Sequence, residues 1–400
     1  MNIIRKAYCR TFQTVFRIAI PILPYRKPEI LEGIDSVARL FRKKGIKRAL
    51  LVTDKSIRDF GITKGLEEDL KTHGIRCYVY DRTVANPTTD NVEEARILYL
   101  KGNCQAIIGF GGGSSIDCAK AVGARIAKPY QTLSQMKGIL KVHKRIPPLI
   151  AIPTTAGTGS ETTLAAVITD AKTRHKYPIN DFPLIPRYAV LDPEITRTLP
   201  KGLTATTGMD ALTHAVEAYI GRSTTKETRA DSTEAVRLIF ENIFDAYEDG
   251  NNMEARKNML TAAYLAGSAF TKSYVGYVHA VAHSLGGRYN VPHGLANAVI
   301  LPHVLEAYGS SAYKKLHDLA VVIGISVPQE SHKTGAEKFI AAVKEMKLRL
   351  DIPDTIKEIR KKDVPRLADF AEKEGNPLYP VPKLMDALEL EKFYYDVMER

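Results

Sequence analysis

Short apolar runs alternate with amphipathic stretches through the first half of the chain. The apolar runs contain little polar alternation, which is the pattern of strands buried on both faces of a parallel sheet. The predicted strands are 48–53, 76–80, 106–110 and 149–152. The predicted helices among them are 29–44, 63–72 and 91–101. This alternation of strand and helix predicts a parallel α/β sheet.

The second half of the chain has a different pattern. From Thr204 onward, nearly every segment places its apolar residues at helical spacing. The predicted helices are 204–220, 226–247, 254–269, 275–287, 295–307, 310–323, 333–347 and 384–398. Turn-forming residues at 192–194 and 199–202 separate the two patterns. We therefore predict an α/β domain at 1–201 and a helical domain at 202–400.

The N-terminal segment is basic and amphipathic. Residues 1–28 contain no Asp or Glu. They carry the cations Arg5, Lys6, Arg10 and Arg17 and, at helical spacing, the side chains Ile4, Tyr8, Phe12, Val15, Phe16 and Ala19. Such a segment fits a membrane-surface helix, a targeting segment, or an arm packed on its own domain or on a dimer partner. We favour the arm. Since no run of about 18 apolar residues exists, no transmembrane helix is predicted.

Composition narrows the function classes. Four hundred residues with 44% hydrophobic content are typical of a globular enzyme with two domains. The net charge is +12, but Lys and Arg are dispersed among acidic residues and no nucleic-acid-binding module occurs, so a nucleic acid partner is not predicted. The basic balance instead fits an enzyme that binds an anionic dinucleotide. Four cysteines without a C-x-x-C pair predict a reducing, cytoplasmic location.

A glycine turn follows the third predicted strand. Gly111, Gly112 and Gly113 lack Cβ atoms, so their backbone amides can approach a diphosphate at the positive end of the helix that begins near Ser115. Ser114 occupies the place of the third glycine in the usual G-x-G-x-x-G pattern. The turn therefore indicates a nucleotide site of a variant type, with an ordinary turn as the alternative.

Other polar residues lie at the ends of predicted strands. Asp54 follows the first strand, where a carboxylate can bind the adenosine ribose and repel a 2′-phosphate, which favours NAD over NADP. The alternative is a helix N-cap. Asn86 precedes Pro87 in a loop, and the small residues of 154–160 follow another strand. For both loops a plain polar turn is the alternative.

Histidines and an aspartate indicate a metal site. Asp210 and His214 are four residues apart on a predicted helix, which places them on one face. The segment 276–303 contains four more histidines: His279, His283, His293 and His303. One carboxylate and several neutral imidazoles suit iron(II) or zinc. The alternatives are a surface pair for Asp210 and His214, and a core histidine for His283. For nearby Glu217 a surface salt bridge is favoured over a contact with a metal ligand.

Several sequence motifs resemble the iron-containing (group III) alcohol dehydrogenases. They are 208–214 (GMDALTH), 278–287 (VHAVAHSLGG), 292–298 (PHGLANA), 111–114, 153–161, 191–194 and Asn376-Pro377, all in the family's order. The resemblance implies a dehydroquinate synthase-like architecture. In that architecture an α/β N-terminal Rossmann-like parallel-sheet domain binds NAD, and an all-helical C-terminal domain binds the metal and the substrate.

The resemblance also implies roles for individual residues. The implied metal ligands are Asp210, His214, His279 and His293, with iron(II) as the ion and zinc as the alternative. His283 is implied to be catalytic, beside the substrate and the nicotinamide, without binding the metal. The implied cofactor contacts are Asp54, Asn86, Gly111, Gly112, Gly113, Ser114, Asp117, Thr154, Thr155, Thr158, Thr163 and Lys176. The chain departs from many family members at 25–28 and at Ala165.

The expected function is that of an NAD-dependent oxidoreductase that transfers a hydride between NAD(H) and a small alcohol or aldehyde, with the metal ion polarising the substrate oxygen. A homodimer or larger homo-oligomer is implied by the family. One alternative is a zinc-dependent polyol or glycerol dehydrogenase, or a dehydroquinate synthase-like enzyme. The substrates of these enzymes carry extra hydroxyls, a carboxylate or a phosphate, and the charged ones need convergent cations. Only Lys272 and Arg288 lie near the metal motifs in sequence. Another alternative is a non-catalytic metal- or nucleotide-binding protein.

Overall fold

A computed structural model describes residues 1–399 of the chain. Its residues form two compact units. The first is Pro24–Thr198, and the second combines Met1–Leu23 with the chain from Leu199 onward. The division falls close to the predicted boundary at 201, whereas the first 23 residues, predicted in the α/β domain, pack with the helical unit.

The first unit is built on two sheets. Its strands are β1 (Glu29–Leu31), β2 (Arg48–Val52), β3 (Arg76–Tyr80), β4 (Ala106–Gly111), β5 (Gly138–Ile139), β6 (Leu149–Pro153), β7 (Ala165–Thr169), β8 (Lys176–Asn180) and β9 (Tyr188–Val190). The main sheet has the order β1-β9-β6-β4-β2-β3, and every pair in it is parallel. A smaller sheet has the order β5-β8-β7.

The main sheet is buried on both faces, which explains its uninterrupted apolar runs. Leu50 and Val52 of β2 join one apolar cluster, while Ala49 and Leu51 join another. Because successive side chains of a strand point to opposite faces, the two clusters lie on opposite sides of the sheet. All six residues of β4 are buried.

The helices of the first unit are α2 (Asp35–Lys43), α3 (Lys55–Asp59), α4 (Lys64–Thr72), α5 (Thr89–Lys101) and α6 (Gly113–Ala127). The helices of the second unit are α1 (Ile3–Ala19), α7 (Lys201–Ile220), α8 (Lys226–Glu248), α9 (Met253–Ser273), α10 (Tyr277–Tyr289), α11 (His293–Tyr308), α12 (Tyr313–Val322), α13 (His332–Arg349), α14 (Val364–Gly375) and α15 (Ala387–Val397). Together the two units confirm the predicted fold class, a Rossmann-like parallel-sheet domain with a helical C-terminal domain. Among the described residues, no helix is long and apolar enough to cross a membrane.

Strands β5, β7, β8 and β9 were not predicted, and two further segments also differ from the sequence predictions. The predicted helix 29–44 is instead the strand β1, a turn at Gly33 with φ of +73°, and then α2. Strand β1 forms because it pairs with β9, far along the chain, a contact that local spacing does not reveal. Helix α14 was not predicted at all. It begins with Pro365 in its first turn, where the missing N–H of proline has no helical partner to lose.

Candidate functional site

The second unit brings the four predicted metal ligands together. One ligand-capable atom from each of Asp210, His214, His279 and His293 lies within 4.8 Å of the others. Asp210 and His214 lie one turn apart on α7, His279 is on α10, and His293 is the first residue of α11. The first three are buried, and the side chain of His293 is 38% exposed. We call these four residues the metal cluster.

Close helix packing places the metal cluster. A Cβ atom added at Gly294 would lie 2.5 Å from the carbonyl oxygen of Thr206, so only glycine permits α11 to approach α7 this closely. A Cβ added at Gly208 of α7 would lie 2.8 Å from the side-chain end of Ile243 on α8, which can shift more easily than a backbone carbonyl. The short distance between α7 and α11 brings Nε2 of His293 to 3.6 Å from Oδ1 of Asp210.

Glu217 orients His279. Its Oε2 lies 2.6 Å from Nδ1 of His279, and its two oxygens accept hydrogen bonds from the backbone N–H groups of Gly276 and Val278, each at 2.8 Å. Burial, and then the neighbouring imidazoles, lower the pKa of His279 well below its usual value. A neutral ring held through Nδ1 presents Nε2 to a metal. Glu217 is buried, so the favoured surface salt bridge was the wrong interpretation.

Asn297 lies against three members of the metal cluster. Its Nδ2 is 2.7 Å from Oδ1 of Asp210, 3.2 Å from Nε2 of His279 and 3.1 Å from Nε2 of His293. One carboxylate oxygen and two imidazole nitrogens thus converge around the side-chain NH₂ group of Asn297, which is small and electropositive. The same convergence of one carboxylate oxygen with imidazole nitrogens favours a first-row divalent cation. The donor set therefore fits the predicted ion.

Stacking with two neighbouring rings fixes the orientation of the imidazole ring of His214. The ring of Phe270 stacks on His214 with centroids 4.2 Å apart and planes 14° apart. His214 in turn stacks on His279 at 4.5 Å. Phe270 therefore covers one face of a ligand ring with an apolar surface. Tyr277, another aromatic residue near the metal motifs, is instead fully buried and hydrogen-bonded to Asn376 at 2.8 Å.

His283 lies beside the metal cluster. Its ring stacks on His293 with centroids 5.0 Å apart and planes 17° apart, and its side chain is 41% exposed. Its Nδ1 is 2.5 Å from Oε1 of Glu374, which also accepts a hydrogen bond of 2.7 Å from the hydroxyl of Tyr379. Burial alone would raise the pKa of Glu374, but the nearby His283 and the Tyr379 hydroxyl outweigh it and lower that pKa. His283 is thus an exposed imidazole held through one nitrogen.

The sequence analysis missed three contacts of the site. They are the contacts of Asn297 with the metal cluster, of Glu374 with His283, and of Phe270 with the ring of His214. Asn297 lies within the motif at 292–298, and Glu374 lies two residues before the Asn376-Pro377 motif, so both were near recognisable signals. The contact of Glu374 could not be inferred from spacing, because Glu374 meets His283 across 91 residues of sequence. Asn297 lies one helical turn after His293, so the spacing could have indicated that contact.

In the first unit, the glycine turn lies at the carboxyl ends of three neighbouring strands. Asp54 follows β2, Gly112 follows β4 and Thr154 follows β6, and these strands are adjacent in the sheet. Gly111 has φ of +149°, and a Cβ there would lie 2.6 Å from Oγ of Ser115. A Cβ at Gly112 would meet nothing nearer than 3.9 Å. The turn therefore exposes backbone beside the start of α6, which suits an anion.

The structure shows Asp54 in its predicted capping role and leaves its second oxygen beside the glycine turn, while its contact with the adenosine ribose stays a prediction. Its Oδ1 caps α3 by accepting a hydrogen bond of 3.0 Å from the backbone of Ile57. Its Oδ2 lies 3.4 Å from the hydroxyl of Ser115, directly beside the glycine turn. The capping contact fixes the carboxylate, so the two interpretations of this residue are compatible.

Other predicted contacts adjoin the same turn. The backbone N–H of Asn86 donates to Oγ of Ser114 at 3.2 Å, and Lys176 donates to Oδ1 of Asn86 at 2.6 Å. Thr155 and Thr158 lie next to Gly112 and Gly113 respectively. We call the group formed by the glycine turn and these neighbours the dinucleotide edge; its residues are Asp54, Asn86, Gly111, Gly112, Gly113, Ser114, Thr154, Thr155, Thr158 and Lys176.

The side chains of Asp117 and Thr163, which were also predicted to contact the cofactor, form hydrogen bonds within the protein. Asp117 is buried and accepts a hydrogen bond of 3.0 Å from the backbone of Val167, and burial raises its pKa. The hydroxyl of Thr163 accepts a hydrogen bond of 2.7 Å from Nζ of the buried Lys120. These contacts join α6 to the β7 region. For both residues a direct cofactor contact stays a prediction.

An α/β unit with a glycine turn that suits an anion, and a helical unit with a carboxylate and three imidazoles that could hold a metal ion, are the features expected of a metal-dependent oxidoreductase. Two sequence models describe the same family: "Iron-containing alcohol dehydrogenase" matches residues 30–193, and "Fe-containing alcohol dehydrogenase family, C-terminal" matches residues 204–397. The chain belongs to the iron-containing alcohol dehydrogenase family, as its motifs predicted.

Individual relatives agree with this assignment. The chain is 38% identical over 368 residues to a 1,3-propanediol dehydrogenase of Klebsiella pneumoniae, covering 90% of this chain and 94% of that protein. It is 35% identical over 341 residues to an NAD-dependent methanol dehydrogenase of Bacillus methanolicus, covering 85% and 89%. An alcohol dehydrogenase structure from Oenococcus oeni matches with a TM-score of 0.89 and 33% identity, covering 93% of this chain and all of that one. The protein is an oxidoreductase of small alcohols.

Proposed function

We propose that the protein interconverts a small, uncharged primary alcohol and its aldehyde, using NAD(H) and an iron(II) ion held by Asp210, His214, His279 and His293. The observation that carries the proposal is the convergence of these four donors within 4.8 Å on three tightly packed helices. The names of the relatives, a propanediol dehydrogenase and a methanol dehydrogenase, support the substrate class.

The surroundings of the metal cluster favour an uncharged substrate. A carboxylate or phosphate substrate would need convergent cations. The two nearby cations are engaged elsewhere, because Lys272 pairs with Glu227 at 2.7 Å and Arg288 pairs with Asp363 at 3.2 Å. Phe270 covers His214 with an aromatic ring. The dehydroquinate synthase-like enzyme, whose substrate is charged, is therefore the weaker proposal, whereas the uncharged substrate of a zinc-dependent polyol or glycerol dehydrogenase is compatible with these surroundings.

The bound ion and the residues around the metal cluster have separate roles in the proposed reaction. A divalent ion bound at the cluster supplies Lewis acidity, which polarises the substrate oxygen and makes an alcohol easier to deprotonate. Glu217 holds Nδ1 of His279, and Asn297 donates to Asp210, so both ligands are oriented before the ion binds. Phe270 excludes water from one face of His214.

His283 is proposed as the group that moves the substrate proton. Its Nδ1 faces Glu374, so its Nε2 is the nitrogen available for exchange with a hydroxyl. Glu374, held as a carboxylate by Tyr379, stabilises the positive charge that the ring acquires when it accepts a proton. The 41% exposure of the side chain gives that proton access to solvent.

The dinucleotide edge is proposed to bind NAD in preference to NADP. The backbone of the glycine turn and the start of α6 suit the diphosphate, and Asp54 suits the adenosine ribose. Replacing Asp54 with Gly should relax the preference for NAD, measured as the ratio of kcat/KM with NAD and with NADP. An unchanged ratio would remove this role from Asp54.

We further propose a cytoplasmic location and a homodimer or larger assembly, as the family resemblance implies. The four cysteines, Cys9, Cys77, Cys104 and Cys118, are all free thiols in the structure, which suits a reducing compartment. Sedimentation of the purified protein would measure the assembly.

Metal removal tests the central proposal. The protein is stripped with a chelator under anaerobic conditions and then reloaded with either iron(II) or zinc, and bound metal is measured alongside NAD reduction with 1,3-propanediol and ethanol. Iron should restore activity in proportion to occupancy at about one ion per chain. Full activity in the stripped protein would contradict the proposal, and restoration by zinc alone would assign the ion to zinc.

A further inference from the structure

One side of helix α1 packs on the rest of the second unit. At about 100° per residue, Cys9, Gln13 and Phe16 project within a sector of about 60°. Cys9 and Gln13 are buried and Phe16 is half-buried. We call these three residues the inner face of α1.

Gln13 of the inner face holds the main chain of Tyr379. Its Nε2 donates hydrogen bonds to the carbonyl oxygens of Tyr379 at 2.7 Å and Pro377 at 3.1 Å. Its Oε1 accepts a hydrogen bond of 2.8 Å from the guanidinium of Arg10. Both N–H groups and the oxygen of this buried amide are therefore engaged, so its orientation is fixed. The main chain at 377–379 is fixed with it.

Phe16 of the inner face supports the ring of the same tyrosine through one intermediate. The ring of Phe16 meets the ring of Tyr274 edge-to-face, with centroids 5.0 Å apart and planes 83° apart. The ring of Tyr274 in turn lies 6.5 Å from the ring of Tyr379, between centroids. Both separations are in the range at which aromatic rings attract each other. One helix thus reaches Tyr379 by two routes, a polar one and an aromatic one.

The intermediate residue, Tyr274, has a strained backbone. It follows α9 directly with φ of +62° and ψ of 176°, a conformation that is normally restricted to glycine. Its N–H donates to the carbonyl oxygen of Phe270, the residue that covers His214, at 2.7 Å. Such strain persists only where the surroundings hold the residue in place, and it is common at functional sites. The ring of Phe16 is one of the contacts that hold Tyr274.

Tyr379 connects α1 to the group proposed to move the substrate proton. The hydroxyl of Tyr379 donates to Oε1 of Glu374 at 2.7 Å, and the same oxygen lies 2.5 Å from Nδ1 of His283. Tyr379 is buried, so a displaced hydroxyl would leave Glu374 without this hydrogen bond. The position of His283 therefore depends on a tyrosine that α1 fixes at its main chain and its ring.

Helix α1 precedes the part of the chain that the family models describe. They match residues 30–193 and 204–397, and α1 ends at Ala19. The support of Tyr379 by the inner face is thus supplied by a segment outside both matched regions.

We propose that Gln13 and Phe16 are positioning residues of the reaction, which hold Tyr379 and, through Glu374, set the orientation of His283. The proposal rests on the proposed function of His283 as the proton-transferring group. Helix α1 then contributes to turnover, and not to binding of the metal or the substrate.

The test uses the full-length protein loaded with iron(II). Phe16→Leu removes the aromatic contact, and Gln13→Met removes the hydrogen bonds at nearly constant length. Each should lower kcat by roughly threefold, while KM for the alcohol and bound metal stay within about twofold. The pre-steady-state rate of NADH formation is measured as well, so that slow NADH release cannot hide the effect.

Two further variants serve as controls. Phe16→Tyr keeps the ring against Tyr274 and should retain the kcat of the wild type. Phe12→Leu makes the same change as Phe16→Leu on the same helix, but at a side chain that is 38% exposed and outside the inner face. It should also behave like the wild type.

A double-mutant cycle with Glu374→Gln separates positioning from general stabilisation. If α1 acts through Glu374, Phe16→Leu/Glu374→Gln should have the kcat of Glu374→Gln alone. If α1 only stabilises the unit, the two losses should multiply. Phe16→Leu is sufficient for the cycle even if Gln13→Met folds poorly, because it leaves no buried polar group without a partner.

The outcomes that overturn the proposal are distinct from those that overturn the function of His283. Multiplying losses in the cycle, a normal kcat in Phe16→Leu, or a loss of metal as large as the loss of kcat would each contradict the role of α1 alone. If His283→Ala and Glu374→Gln both keep the kcat of the wild type, the proton-transfer function of His283 is wrong and the role of α1 falls with it.

Discussion

The dinucleotide edge and the metal cluster differ in the atoms that they present. The dinucleotide edge presents backbone groups, and the metal cluster presents side chains. The edge is centred on four consecutive residues, 111–114, and presents backbone groups at the end of a strand and the start of a helix. The metal cluster takes four side chains from three helices. A backbone site is therefore sensitive to an added side chain, whereas a side-chain site is sensitive to a lost one.

The largest effect is expected from loss of one metal ligand. His279→Ala should remove most bound metal and lower kcat/KM by about 1,000-fold, because the Lewis acid contributes several kcal/mol to the transition state. The affinity for NADH should stay within about twofold, since the glycine turn is in the other unit. Metal analysis and NADH titration measure the two effects. The control His303→Ala removes a histidine outside the cluster; a metal loss of equal size there would contradict the assignment.

A smaller effect is expected from an added side chain at the dinucleotide edge. Gly112→Val should weaken NADH binding by about 10- to 100-fold, because the new side chain enters the open space proposed for the diphosphate, while metal content stays unchanged. A Cβ atom at this position would meet nothing nearer than 3.9 Å, so the melting temperature should change much less than the affinity for NADH. The control Gly202→Val also adds a side chain in open space. Normal NADH affinity in Gly112→Val would move the diphosphate away from this turn.

A variant next to the metal cluster tests whether an added side chain can also damage a site that is built from side chains. Gly294→Ala places a Cβ against the carbonyl of Thr206, which should push α11 away from α7 and weaken metal binding by about tenfold. Here an added side chain should harm a side-chain site, because the ligands depend on close backbone packing. The measurement is the affinity for iron(II) or zinc, with Gly287→Ala as a control on α10 that meets open space. Unchanged affinity would mean that α11 adapts without displacing His293.

The smallest effect is expected from the support of His283. Glu374→Gln keeps the size of the side chain and removes its charge, so kcat should fall by roughly 3- to 10-fold with little change in KM or bound metal. Glu374→Asp should recover part of the loss if charge is what matters. Glu358→Gln, on an exposed residue, should behave like the wild type. A fall in bound metal as large as the fall in kcat would point to a structural role instead.

The sequence predictions were correct for features that depend on neighbouring residues, and they failed for contacts between residues far apart in the sequence. Strands β2, β4 and β6 were predicted because a strand buried on both faces leaves a continuous apolar run. The pair Asp210 and His214 was visible because one helical turn fixes its geometry. In contrast, β1 depends on pairing with β9, and the contact of Glu374 with His283 depends on α14, which was not predicted.

The N-terminal segment shows the same division. Its spacing correctly predicted a helix, α1. The apolar residues that defined that spacing were expected to include a buried face, but Ile4, Tyr8 and Val15 are exposed, while polar Gln13 is buried. The orientation of the helix is set by acceptor groups of the segment 377–382, whose position depends on the rest of the second unit.

The amino-acid sequence by itself determined the alternation of strands and helices, the glycine turn and the types of ligand atom, because each of these depends on residues within one or two turns of each other. Only the tertiary structure decided that Glu217 holds His279, that Asn297 meets three ligands, and that Glu374 supports His283. The reason is physical. A side-chain contact across helices depends on interaxial distances of a few ångströms, which packing glycines such as Gly294 set and which no local pattern encodes.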